Sequence, residues 1–175
     1  GVKEYVPALM EYVEKYGKSR GELSRVAPRV DAWRNFVRRI AKVNKELGVI
    51  SYEIWNEPDI DFWKGTTEEY LAIMKAAYEE IQAVHPEAVV LSGGIATTLG
   101  HGGHARNPDL IERMLVEYQD YYEAICLHEH GPFDRFLAAL RGPVAEYREQ
   151  IEPDKPLWFT ETGVASEDRI YQAHE

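Results

Sequence analysis

Four short apolar runs recur along this chain at nearly even spacing, and that recurrence limits the fold more than any other feature. They are Val49–Asn56 (VISYEIWN), Ala88–Gly93 (AVVLSG), Tyr122–His128 (YEAICLH) and Pro156–Thr160 (PLWFT). Their starts lie 39, 34 and 34 residues apart. Between them, apolar residues repeat at helical spacing: Trp33, Phe36, Val37, Ile40 and Leu47; Tyr70, Met74, Ala77, Tyr78, Ile81 and Val84; Ile111, Met114, Leu115 and Tyr118. Phe136, Leu137 and Leu140 continue the pattern, and Val144, Tyr147 and Ile151 resume it after Gly142-Pro143. Thr66 with Glu69 has the spacing of a capping box, and Asn107-Pro108 reads as an N-cap and first helical position. Gly48 and His85-Pro86 mark helix ends.

Strands alternating with helices at a fixed period form a parallel sheet of right-handed βα units. The runs are apolar almost throughout, as when helices cover both faces of a sheet. Two architectures satisfy this: a doubly wound open sheet or a (β/α)8 barrel. A whole barrel takes about 250 residues, and these 175 residues hold four strands. The chain is therefore read as α/β, an incomplete (β/α)8 TIM barrel in a single domain over residues 1–175. Residues 1–30 form an unassigned helical or loop lead-in, with a helix-like stretch over Val6–Tyr16. Ser166–Glu175 reads as the opening of another helix.

Composition removes several function classes. No apolar run approaches the roughly 20 residues of a membrane span, and no charged-apolar-small leader opens the chain. A net charge of −10 argues against a nucleic-acid backbone as partner. The lone Cys126 excludes an internal disulfide and a multi-Cys zinc site. Residues 15–45 run against the overall charge: ten basic side chains, from Lys15 to Lys45, face only Glu22 and Asp31. Such a stretch is a solvated helix face beside acidic neighbours more often than an anion site.

Parallel βα folds collect functional groups at the carboxyl ends of strands. The first run ends in Glu57, the third in His128-Glu129-His130 and the fourth in Glu161. Glu is a poor strand former and is rarely buried without a partner, so packing alone does not select it there. Two facing carboxylates suit glycoside hydrolysis, one protonating the leaving oxygen and the other attacking the sugar carbon. Trp55, Trp63 and Trp158 lie near them in sequence, suited to an apolar wall or a sugar-stacking platform. Strict alternation puts Glu53, Trp55 and Glu57 on one face, and Leu157, Phe159 and Glu161 on one face of the last strand. Glu53 then points into the barrel, where it needs a cationic or hydrogen-bonded partner.

These residues carry a resemblance. Tyr52-Glu53-Ile54-Trp55-Asn56-Glu57-Pro58-Asp59 resembles the strand-4 motif of the clan A glycoside hydrolases, retaining (β/α)8 enzymes, and Pro156-Leu157-Trp158-Phe159-Thr160-Glu161-Thr162-Gly163 resembles their strand-7 motif. Phe62-Trp63-Lys64-Gly65-Thr66 and Glu69-Tyr70 extend the first match in the style of family 39. Ala124-Ile125-Cys126-Leu127-His128 resembles the strand-6 motif, and Gln172-Ala173 the start of the helix after strand 7. The ordered match runs over roughly residues 31–173, so strands 4 to 7 are the part represented. The resemblance implies Glu57 as acid/base, Glu161 as nucleophile and Asn56 as a partner of the sugar 2-hydroxyl. His128, His130, Trp63 and Trp158 are the further substrate-binding candidates. The chain departs from the pattern at one point: where members often carry a Tyr two residues after the strand-6 His, it carries His130.

The expected activity is retaining hydrolysis of O-glycosidic bonds, with a carbohydrate as partner, no cofactor and no resident metal. Two other readings use the same residues. One is a sugar-binding barrel portion that does no chemistry; the other is a metal-dependent enzyme with Glu57, Glu161, His128 and His130 as ligands. His101 and His104 read as loop histidines, Gly93-Gly94 as a tight strand exit, and Cys126 as a structural thiol. A half-covered sheet further predicts exposed apolar surface, to be met by the rest of a barrel or by self-association.

Overall fold

The computed structural model describes residues 24–96 and 107–164. Among them, α1 (Val30–Glu46) precedes β1 (Ser51–Glu53), α2 (Thr67–Val84), β2 (Val89–Leu91) and β3 (Ile95–Ala96). Then come α3 (Pro108–Glu117), a 3-10 turn (Gln119–Tyr121), β4 (Ile125–His130), α4 (Phe133–Arg141), α5 (Pro143–Gln150) and β5 (Leu157–Gly163). The sequence expectations over Val6–Tyr16, His101, His104 and Ser166–Glu175, including Gln172-Ala173, lie outside the described residues.

The helix boundaries follow the local chemistry. Thr66 accepts from Glu69 N while the Glu69 carboxylate accepts from Thr66 N, a complete capping box at the start of α2. Asn107 accepts from Leu110 N and Pro108 occupies the first helical position of α3. After α1 the chain turns at Gly48, whose φ of 74° a side chain disfavours.

Every strand pairing is parallel. β1 pairs with β2, β3 with β4 and β4 with β5. Single bridges at Asn56↔Gly94 and Leu91↔Ala124 join the two ladders. Spatial order thus follows chain order, as in a barrel wall; a doubly wound sheet reverses its order part-way. The strands differ from the sequence expectation at their edges. β1 stops early because Trp55 and Glu57 leave the extended region, with φ of 82° and 42°. The second run breaks at Gly93-Gly94 and resumes as β3, a strand the sequence reading did not foresee.

The two faces of this wall are unlike. Ile54, Val90, Ile95, Ile125 and Leu127 face the helices and join Tyr70, Leu71, Met74, Leu110, Met114 and Tyr147 in one core, with Leu157 and Phe159 packed against it. Burying each such side chain is worth about 1.5–3 kcal/mol. The inward face holds a small cluster of Leu91, Ala124 and Cys126, and above it the charged groups.

The basic stretch on α1 meets acidic partners on α2. Arg38 Nε donates to Glu80 Oε2 at 2.6 Å, and Arg34 bonds Glu80 and Glu79. The Arg38 hydrogen bond, joined by that of Arg34, holds the buried Glu80 carboxyl below its ordinary range despite burial. No helix of the described residues is long and apolar enough to cross a membrane.

Candidate active site

The site is built on the carboxyl ends of β1, β3, β4 and β5. Glu57 leaves β1 through a kink that places two non-glycine residues, Trp55 and Glu57, at positive φ. Such conformations cost about 1–3 kcal/mol each and persist only where surroundings over-determine them. Here the Trp55 ring lies edge-on to Trp63 (5.1 Å) and to Trp33 (6.1 Å). Its Nε1 donates to Phe62 O at 3.1 Å. Two residues beyond the kink, the fully buried Asp59 accepts from Ala96 N at 3.1 Å. The Glu57 carboxylate is thereby turned inward, onto His128.

His128 is the hub. It stands on the inward face of β4 and is 1% exposed. Its Nδ1 lies 3.2 Å from Glu57 Oε1, and its Nε2 lies 3.1 Å from Glu53 Oε1. Glu161 Oε2 is 3.7 Å from the same Nδ1. Burial would strip the proton from this ring. Hydrogen bonds with Cys126, Glu53 and Glu57 outweigh burial and hold the pKa far above that of an ordinary histidine. Burial likewise opposes ionisation of Glu53, but the bonds from His128, Cys126 and Thr160 prevail and keep that carboxyl below its usual value. The Cys126 thiol is pushed up by burial.

Gly94 is what admits the imidazole. A Cβ at position 94 would lie 2.1 Å from His128 Nε2 and 2.3 Å from Cε1. The sequence reading took Gly93-Gly94 as a strand exit and missed this role. Only a ring packed on the backbone reveals it, and the ring belongs to a residue 34 positions away.

Glu161 reaches the site through an irregularity. Leu127 pairs with Phe159, but His128 pairs with Glu161, so Thr160 is an extra residue opposite β4. Strict alternation had put Leu157, Phe159 and Glu161 on one face; the bulge corrects that. Leu157 and Phe159 pack toward the helices, where Phe159 lies 4.9 Å from the Phe136 ring. Thr160 contacts Cys126 Sγ on the inward side, and Glu161 turns to the same side. Alternation also failed at Trp55, which positive φ sends to the aromatic cluster with Trp33 and Trp63, away from the face of Glu53.

Glu161 Oε2 lies 3.4 Å from His130 Nε2. One oxygen of Glu57, one of Glu161 and one nitrogen of His130 lie within 4.8 Å of one another. His130 thus stands beside the carboxylate that the resemblance would have given a tyrosine. Asn56 is exposed at the mouth, next to Glu57. Trp158, paired in register with Cys126, is 36% exposed. Trp63 is not at the mouth: it is 6% exposed, donates to Thr66 O at 3.0 Å and is packed by Trp55 and Tyr70. The expectation of Trp63 as a sugar platform is therefore corrected to a core role, set by the turn that starts α2.

Glu53, Cys126 and His128 form a second compact trio, their ligand-type atoms also within 4.8 Å. Such closeness serves a shared proton as well as a cation. With each ring nitrogen facing a carboxylate oxygen, His128 has the arrangement of a doubly protonated imidazole.

Solved structures share this architecture. A monomeric β-xylosidase from Caulobacter crescentus aligns over 83% of this chain with a TM-score of 0.63 and 20% identity, the match covering 33% of that chain. A glucosidase from Croceicoccus marinus aligns over 85% with a TM-score of 0.57 and 14% identity, covering 34% of that chain. A family 39 glycoside hydrolase from Bacteroides cellulosilyticus aligns over 82% with a TM-score of 0.55 and 23% identity, covering 33% of that chain. The fold is part of a (β/α)8 barrel. This chain spans about a third of the length of each of these proteins. No family model matches the sequence, and no curated protein matches it. On the barrel, the charged cluster occupies the carboxyl ends of consecutive strands, the position at which barrel enzymes carry their active sites.

Proposed function

We propose that this chain carries the catalytic centre of a retaining glycoside hydrolase. The observation behind the proposal is the approach of Glu57 and Glu161: strand ends 104 residues apart in sequence bring carboxylate oxygens within 4.8 Å. Retaining enzymes hold the two carboxyl groups about 5–5.5 Å apart, whereas inverting enzymes leave about 6.5–9.5 Å for a water molecule.

In this reading Glu161, half-exposed, attacks the anomeric carbon as the glycosidic bond breaks. Glu57, with its side chain largely covered, gives its proton to the leaving oxygen. A covalent glycosyl-Glu161 ester results. Glu57, now ionised, takes a proton from water, which attacks the same carbon and frees Glu161. Asn56 hydrogen-bonds the sugar 2-hydroxyl, and Trp158 offers an exposed ring to the substrate. The names of the similar structures make β-xylosides and glucosides the first substrates to try. The exposed apolar residues of α1 and its C-cap, Phe36, Ile40, Val43 and Leu47, are to be covered by further βα units or by a second copy.

The test is labelling of the intact protein with 2-deoxy-2-fluoro-xylosyl fluoride, followed by peptide mass spectrometry. The label is expected on Glu161, with retained configuration in the product of 4-nitrophenyl β-xyloside hydrolysis. Label on another residue, or an inverted product, overturns the assignment.

A further inference from the structure

Glu53 touches neither catalytic candidate through any described contact, yet it is tied to both through one ring. We infer that Glu53 is a positioning residue: its carboxylate fixes the orientation and the double protonation of His128, so that the Nδ1–H is always presented to the Glu57–Glu161 pair. This inference rests on the glycosidase reading above and deepens it.

The geometry carries the argument. The His128 ring lies against the Gly94 backbone, where a Cβ would come within 2.1 Å of Nε2. Its Nε2 is used by Glu53 at 3.1 Å, leaving Nδ1 between Glu57 Oε1 at 3.2 Å and Glu161 Oε2 at 3.7 Å. A histidine hydrogen-bonded at one nitrogen has the state of its other nitrogen set by that bond. If Nε2 lost its proton, it would set a lone pair against the Glu53 carboxylate.

The groups facing this ring come from every neighbouring element. They are Glu53 from β1, Glu57 from the turn after it, Cys126 from β4 and Glu161 from β5, with His130 reaching the last. Three are carboxylates. Thr160 and Cys126 supply further hydrogen bonds to Glu53 and help keep it ionised. The ring's raised proton affinity is consistent with this arrangement.

The chemical use is specific. During the double displacement the negative charge alternates between the two catalytic carboxylates. Glu161 is ionised before attack; Glu57 is ionised once it has given up its proton. An N–H held between their oxygens serves whichever is ionised, and needs no rearrangement as the charge moves. Such preorganised donors act strongly in a water-poor site.

Two measurements test this on the intact protein. The first is the protonation state of His128 in the wild type, followed by 15N and 13C NMR of labelled histidine from pH 5 to 9. The ring is expected to stay doubly protonated throughout; titration near the ordinary value of about 6.5 overturns the inference whatever the protein hydrolyses. The second compares Glu53→Gln and Glu53→Asp with 4-nitrophenyl β-xyloside. The glutamine keeps an acceptor oxygen but removes the charge. It is expected to lower kcat by about 100-fold with KM nearly unchanged, and to bring in a new loss of activity as pH rises through about 6.5. Glu53→Asp keeps the charge and is expected to retain the wild-type alkaline limb. A Glu53→Gln enzyme with wild-type kcat and pH profile overturns the inference. If Glu53→Gln does not fold, the NMR titration decides. A wild-type protein inactive on every glycoside, with His128 doubly protonated to pH 9, rejects the catalytic reading and leaves the Glu53–His128 lock in place.

Discussion

β4 shows the two sides of this protein within six residues. Ile125 and Leu127 point to the helices and lie in a continuous apolar core; Cys126, His128 and His130 point inward to carboxylates and the mouth. The backbone and the pairing are the same for both sets. What differs is the neighbour: on one side helices remove apolar surface from water, on the other polar atoms satisfy one another. Stability and chemistry are thus assigned to alternate positions of a single strand, and each set should respond to substitution in its own way.

The sharpest way to break this division is at Glu57. Glu57→Gln is expected to lower kcat/KM by about 10²–10⁴-fold, the usual worth of a general acid/base, while the melting temperature stays near that of the wild type. A large loss of stability would mean that the inward face also holds the fold together. The opposite substitution is Leu127→Ala, which removes a fully buried side chain from the outward core and is expected to cost about 2–5 kcal/mol. Thermal melts should show that loss, and activity per folded molecule should survive it. The comparison is refined by Glu80, a buried carboxylate on the outward side with a structural task only. Its pKa is held down by Arg38 and Arg34, so its contribution is present above the unfolded value of about 4.3 and fades as pH falls below it. Glu80→Gln should therefore flatten the acid side of the stability curve and leave the pH profile of turnover unchanged.

Much of the frame was legible in the sequence. Strand order followed from spacing, since a parallel strand needs a crossover and the crossovers here have nearly one length; the short β3, split off at Gly93-Gly94, did not. The caps at Thr66 and Asn107 followed from local hydrogen-bond chemistry, and the strand-end glutamates from the improbability of a carboxylate at those positions. What escaped was long-range or left no mark in residue type. The partner of Glu53 is 75 residues away. The need for Gly94 arises from a ring on another strand. Trp63 looked like a surface platform because its burial depends on Trp55 leaving the extended region, and neither Trp55 nor Glu57 is a residue that advertises positive φ. The surplus residue in β5 has no sequence signature at all; Thr160 is an ordinary strand former.

That surplus residue makes the direction of Glu161 a matter of counting. Up to Phe159 the strand keeps step with its neighbour, and beyond Thr160 it runs one residue out of step. Inserting a single position after Thr160 would set the newcomer opposite His128 and swing the acid round to the helical side, emptying the mouth of its proposed attacking group while leaving the ladder intact. Lengthening the strand by one residue would silence the site, though every side chain proposed to do chemistry would still be present in the chain.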